Sequence, residues 1–179
     1  MWYTKVIKLK GVDFLNNKVF LKMAERQFFL PFSMLEKIIE KCPENLWSEK
    51  KSGYIFWQQI LHALTGAGFW FRLTNEKFIE PFYEKKVYPE LEKDAETNLS
   101  KEEITDYKNE VKRLCEDYFD GKDDEWLNED SILFEKIKNI DVVMMQIRHI
   151  QYHVGYCNSI FKENGVEPVE WIDYFGEGE

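Results

Sequence analysis

The sequence predicts an all-α fold, a four-helix bundle with one long crossover between its second and third helices. Three observations lead there. Helical periodicity dominates, with apolar residues recurring every three or four positions. Four stretches sustain that pattern long enough to form bundle helices. Between the second and third lies a long connection, 73–99, containing Pro81 and Pro89. A connection of that length inside a compact domain reads as a crossover rather than a tight hairpin. At 179 residues the chain is expected to form a single domain, 1–179, large enough to bury one substantial core.

The first helix is expected over 17–42, where Phe20, Leu21, Phe28, Leu35, Ile38 and Ile39 share one broad face. Pro31 falls inside it and should kink or split it, since proline lacks an N–H and crowds the preceding turn. Cys42-Pro43-Glu44-Asn45 ends it. The second helix, 53–72, is apolar almost all round, which marks a central helix. The third begins at a capping box, Ser100 with Glu103, in which each side chain satisfies a free backbone N–H. Ile104, Val111, Leu114 and Tyr118 form its inner stripe, and it ends near Asp120-Gly121. The segment 122–138 is mixed and expected to be irregular. The fourth helix is expected over 140–163, started by Asn139 or Asp141 and stopped by Asn164-Gly165. A tail follows in which Trp171 is expected to pack back on the body.

Composition excludes several classes of function. Net charge is −9 and the pI about 5.0. Lys85-Lys86 is surrounded by acids, so no basic patch offers a site for nucleic acid or an anionic membrane. The apolar runs are far shorter than the roughly 18 residues a membrane span needs. The opening MWYTKVIKLK alternates polar and apolar residues, unlike a secretory signal. Cys42, Cys115 and Cys157 form an odd set without a CxxC, which suits reduced thiols in a cytoplasm.

Chemistry concentrates in the three histidines. His149 and His153 lie four apart on an apolar helix that also carries Val142, Met145, Ile150, Val154 and Ile160. Residues at that spacing share a face, with Cβ atoms about 5–6 Å apart, and two imidazoles so placed reach one ion at about 2.0–2.1 Å. A pair of core histidines bonded to carbonyls is the ordinary alternative. His62, midway along the most apolar helix, favours the metal, because facing helices of a bundle converge on the core. Three nitrogens and one free position describe a catalytic rather than a structural site. Gly66 and Gly68, one turn past His62, leave room for a water or substrate, or else serve close helix packing. Gln59 and Gln146, each three residues before a histidine, either orient the imidazoles or are surface amides. Cys157, four after His153, reads better as a buried neutral thiol than as a further ligand. Tyr156 and Asn158 flank it and are weaker candidates to reach the pocket.

FWQQILHALTGAGFW resembles the second helix of DinB/YfiT-like proteins, and RHIQYHVGYCN resembles their last, an arginine followed by HxxxH and a downstream asparagine. CPENLW and NGVEPVEW also fit the family, whereas the linker and third helix match only in character. The resemblance implies a bundle of up-down-down-up topology. It also implies a divalent metal, zinc or nickel foremost, held by His62, His149 and His153. Some members transfer a low-molecular-weight thiol to an electrophile, or use one in isomerisation. Recognition of an acidic thiol cofactor would want arginines at the pocket, where Arg148 and Arg72 are the candidates.

The leading expectation is therefore a metal-dependent transferase or hydrolase acting on a small-molecule substrate held by aromatic walls such as Phe56 and Phe69. Its alternatives are a non-enzymatic metal or small-molecule binding protein of the same fold, and a member whose histidines bind nothing. Exposed Tyr152 hints at a homodimer.

Overall fold

The computed structural model describes residues 17–173; the readings of MWYTKVIKLK and of the tail from Tyr174 onward lie outside them. Five helices and one two-stranded hairpin make up the regular structure of the described residues. In chain order these are α1 (Val19–Lys41), α2 (Glu44–Trp47), β1 (Lys50–Lys51), β2 (Tyr54–Ile55), α3 (Phe56–Trp70), α4 (Lys101–Phe119) and α5 (Asn139–Glu163). The four long helices pack in a closed circuit, with α1 and α3 each lying against both α4 and α5.

Pro31 does not split α1. The helix runs through it, and the ring is buried on the same face as Phe28, Phe32 and Leu35. One missing N–H removes a single helical hydrogen bond, which burial of that face outweighs at roughly 1.5–3 kcal/mol per large apolar side chain.

The second expected helix starts later than its pattern suggests. Lys50–Lys51 pairs antiparallel with Tyr54–Ile55 across Ser52-Gly53, both at positive φ (51° and 101°), as a tight hairpin turn requires. From Phe56 onward α3 is buried on nearly every side, from Trp57, Gln58 and Gln59 through Ala67 and Gly68. Its remaining flank is covered by the 73–99 connection, which holds only a short turn of 3₁₀ helix at Tyr83–Lys85. That connection bends repeatedly, with positive φ at Phe82, Lys86, Tyr88 and Leu91. Gln58 fastens it: its amide nitrogen shares two N–H donors among the carbonyls of Val87, Tyr88 and Lys93, at 2.9, 3.0 and 2.9 Å. Trp57 and Trp47 add bonds to Asn98 and to the Leu99 carbonyl.

Both halves of the Ser100–Glu103 capping box are present. The 122–138 segment is irregular apart from a 3₁₀ turn at Trp126–Asn128. At the start of α5 the two candidate caps divide the work. Asp141 accepts the Lys138 N–H at 3.0 Å, while Asn139 is buried, donating to the Trp126 carbonyl and accepting from the Tyr118 hydroxyl. Gly165, at φ +72°, ends the helix as expected. Trp171 does not pack back on the body; it is 69% exposed. Val169 anchors the tail instead, clamped by Asn158 through bonds in both directions of 2.9 and 2.8 Å. Among the described residues no helix is long and apolar enough to cross a membrane.

Candidate metal centre

α3 and α5 lie side by side, which sets His62 opposite His149 and His153. The three rings form a nearly equilateral triangle with centroids 5.1, 4.8 and 4.8 Å apart. One potential ligand atom from each lies within 4.8 Å of the other two. One edge, His62 Nε2 to His149 Nε2, is 3.2 Å. Two nitrogens on a tetrahedral ion at about 2.0–2.1 Å would stand about 3.3 Å apart, so that edge already has the right length.

The opposite edge of each ring is tied down. His62 Nδ1 lies 2.7 Å from the Pro89 carbonyl, His153 Nδ1 3.0 Å from Gln59 Oε1, and His149 Nδ1 3.3 Å from Gln146 Oε1. All three partners are acceptors, so each Nδ1 carries the proton and donates it. Each Nε2 is then left with a lone pair. The 3.2 Å contact between two such nitrogens is not a hydrogen bond, because neither has a proton to give. Two lone pairs at that distance repel unless a cation lies between them.

A proton on His149 is a poor choice for that cation. Burial, with His62 nearby, pulls His149 down to about 4. Burial, with His149 and His62 nearby, pulls His153 down to about 3. Neutral imidazole is the form a divalent metal binds, and the three histidines lie close enough to hold one ion.

His153 lies at the back of the cluster and is 4% exposed. His62 and His149 instead reach a cleft of ≈ 370 Å³, lined also by Gly66, Phe69, Trp70, Glu90, Met145 and Gln146. The open direction of the triangle therefore faces a space of small-molecule size.

Several expectations change. Gln59 and Gln146 are buried and both hold imidazoles, but Gln59 serves His153 across the helix pair rather than its neighbour His62. Gly66 lines the cleft and also makes room for the His149 ring: a Cβ there would lie 2.4 Å from its Cε1. Gly68 serves helix packing, facing Tyr107 and Val111 of α4. Phe69 lines the cleft, but Phe56 is fully buried, stacked on Phe161 at 5.3 Å. Tyr156 donates to the Ser52 carbonyl and Asn158 holds the tail, so neither joins the site. Cys157 is a fully buried free thiol whose pKa burial pushes up, outside the histidine cluster. Neither arginine lines the cleft: Arg148 is exposed, and Arg72 is held by the Phe69 and Glu76 carbonyls and stacks over Phe69.

Pro89, Glu90 and Trp70 were not foreseen at the site. Trp70 lies eight residues after His62, close to two full helical turns, and could have been found from that spacing. A carbonyl supplied by an irregular connection leaves no mark in side-chain patterns. No protein-family model, curated protein or solved structure gives a significant match to the chain.

Proposed function

We propose that this chain is a divalent-metal-dependent enzyme, built as an up-down-down-up four-helix bundle of the DinB/YfiT-like kind, with His62, His149 and His153 as the ligands. The observation that carries the reading is the cluster itself: each Nδ1 lies beside an oxygen acceptor, and one ring nitrogen from each histidine lies within 4.8 Å of the other two, beside an open cleft. When bound, a zinc or nickel ion supplies Lewis acidity and lowers the pKa of a water or thiol in its open position. Gln59, Gln146 and the Pro89 carbonyl hold the imidazoles in place. Phe69, Trp70 and Met145 offer an apolar wall to a small substrate. Transfer of a small thiol to an electrophile fits this arrangement, with hydrolysis as its sibling. A cytoplasmic setting and a homodimer through the exposed Tyr152 face of α5 belong to the same proposal.

The test is turnover. Untagged protein, stripped and reloaded with zinc or nickel, is assayed against electrophiles with small thiols and against hydrolysable esters. Metal-dependent turnover that disappears in His62→Ala and His153→Ala supports an enzyme. Activity indifferent to both substitutions overturns it. Metal uptake and ligand-induced thermal stabilisation without any turnover would instead indicate a binding protein.

A further inference from the structure

A second cavity lies on the α4 side of α3, away from the histidines. It encloses ≈ 480 Å³ between α4 and residues 78–82 of the connection, and none of the residues lining it also lines the histidine cleft. Its floor is Gly68, whose missing side chain makes room for Tyr107: a Cβ there would lie 3.2 Å from the Tyr107 hydroxyl. Phe78, Phe82 and Val111 supply apolar walls. Ile79 joins them and is 79% exposed, more than any other large apolar side chain among the described residues.

The polar groups around this space lack partners. Asp106 and Glu110 line it, are exposed, and stand one turn apart on α4, where like charges repel. Neither takes part in an ion pair among the described residues. Glu103, the third acid of the lining, is already held by Lys85. No lysine or arginine lines the cavity. Deeper in, Thr65 precedes Gly68 by three residues on the same side of α3 and is 1% exposed. Its hydroxyl neighbours that of Tyr107 but makes no well-formed hydrogen bond to it or to any other group, a costly arrangement for a buried donor. Aromatic walls, a neutral hydroxyl and two unpaired carboxylates complement a cation with an apolar body, and the chain's net charge of −9 acts in the same direction. The volume is that of a small-molecule site.

We propose that this cavity binds a small organic cation, an alkyl- or arylalkylammonium, with its charged end at Asp106, Glu110 and the Tyr107 hydroxyl and its apolar body against Phe78, Ile79 and Phe82. The site is separate from the histidine centre and does not depend on it.

The experiment follows the Ile79 methyl signals by NMR in the full chain carrying methyl-labelled isoleucine, titrated at pH 7 with 4-phenylbutylamine, 4-phenylbutanol and 4-phenylbutyrate. The three probes share one apolar body and differ in charge. The amine should give saturable Ile79 shifts and bind about fivefold more tightly than the alcohol, the size of one partly exposed charge pair, with the acid weakest. Asp106→Asn combined with Glu110→Gln should bring the amine down to the affinity of the alcohol and leave the alcohol unchanged. Both positions are exposed, so the double variant should fold as the wild type does. Absence of saturable shifts with all three probes would overturn the site. An amine preference that is missing, or that the double variant retains, would overturn the cation assignment. Ile79 shifts that follow protein concentration without any probe would give the groove to a second copy of the chain and overturn the small-molecule reading.

Discussion

Gly66 shows how closely single atoms control the centre. The His149 ring rests on the α3 backbone where any other residue would place a Cβ, 2.4 Å from Cε1. Gly66→Ala must therefore push the ring aside. We expect the variant to fold, since the ring borders an open cleft, but to bind zinc at least about tenfold more weakly, measured by chelator competition. Gln59→Leu removes the acceptor that fixes the His153 tautomer. Loss of such a partner typically costs about 10–100-fold in metal affinity, and the same titration checks it. A wild-type affinity in both variants would mean that the ring positions do not matter to binding. The clustering of the three histidines was legible from an i, i+4 spacing and an isolated histidine in an apolar helix. Their partners were less so, because a glutamine three residues from a histidine bonds whichever ring the neighbouring helix presents.

At the scale of elements, α3 joins the core to the site. One face meets α4 through Gly68, another sets His62 toward α5, and a third is gripped by the 73–99 connection through Gln58. Gln58→Leu would release three carbonyls at once and loosen the segment that brings Pro89 to His62. The expected outcome is faster amide exchange across 86–93 together with weaker zinc binding, both read by mass spectrometry; exchange unchanged there would remove Gln58 from this role. Ser100→Ala tests a device distant from the centre. It removes the cap of α4 and should cost about 1 kcal/mol in urea unfolding, with zinc affinity unaltered. The helices were readable because amphipathic periods and the capping box are local signals. The Tyr54–Ile55 strand was not, because its residues run directly into α3 and continue its apolar pattern, and only the Ser52-Gly53 turn before them marks the hairpin. Pro31 does not split α1 for the opposite reason: its local preference is real, but the face it shares with Phe28 and Phe32 buries enough to keep the helix continuous.

For the whole molecule, the buried imidazoles link stability to pH. Burial pulls His149 down to about 4 and His153 down to about 3 in the folded chain, against about 6.5 in an unfolded chain. The unfolded state therefore binds more protons below pH 6.5. Metal-free protein should hold its full stability above that value and lose it steadily as pH falls toward 4 and 3. Urea midpoints at pH 7 and pH 5 check this, and His153→Leu should flatten the slope. A bound ion strengthens the dependence, because protons compete for the same nitrogens. By linkage, zinc at a hundredfold excess over its Kd adds about 2.7 kcal/mol to stability at pH 7.

The central claim is that three imidazoles from two helices hold one ion. Zinc titrated calorimetrically into untagged, chelator-stripped protein at pH 7 tests it most directly. The account predicts one ion per chain, with binding largely lost in His153→Ala. Absence of saturable binding, or binding that His153→Ala leaves unchanged, would contradict it.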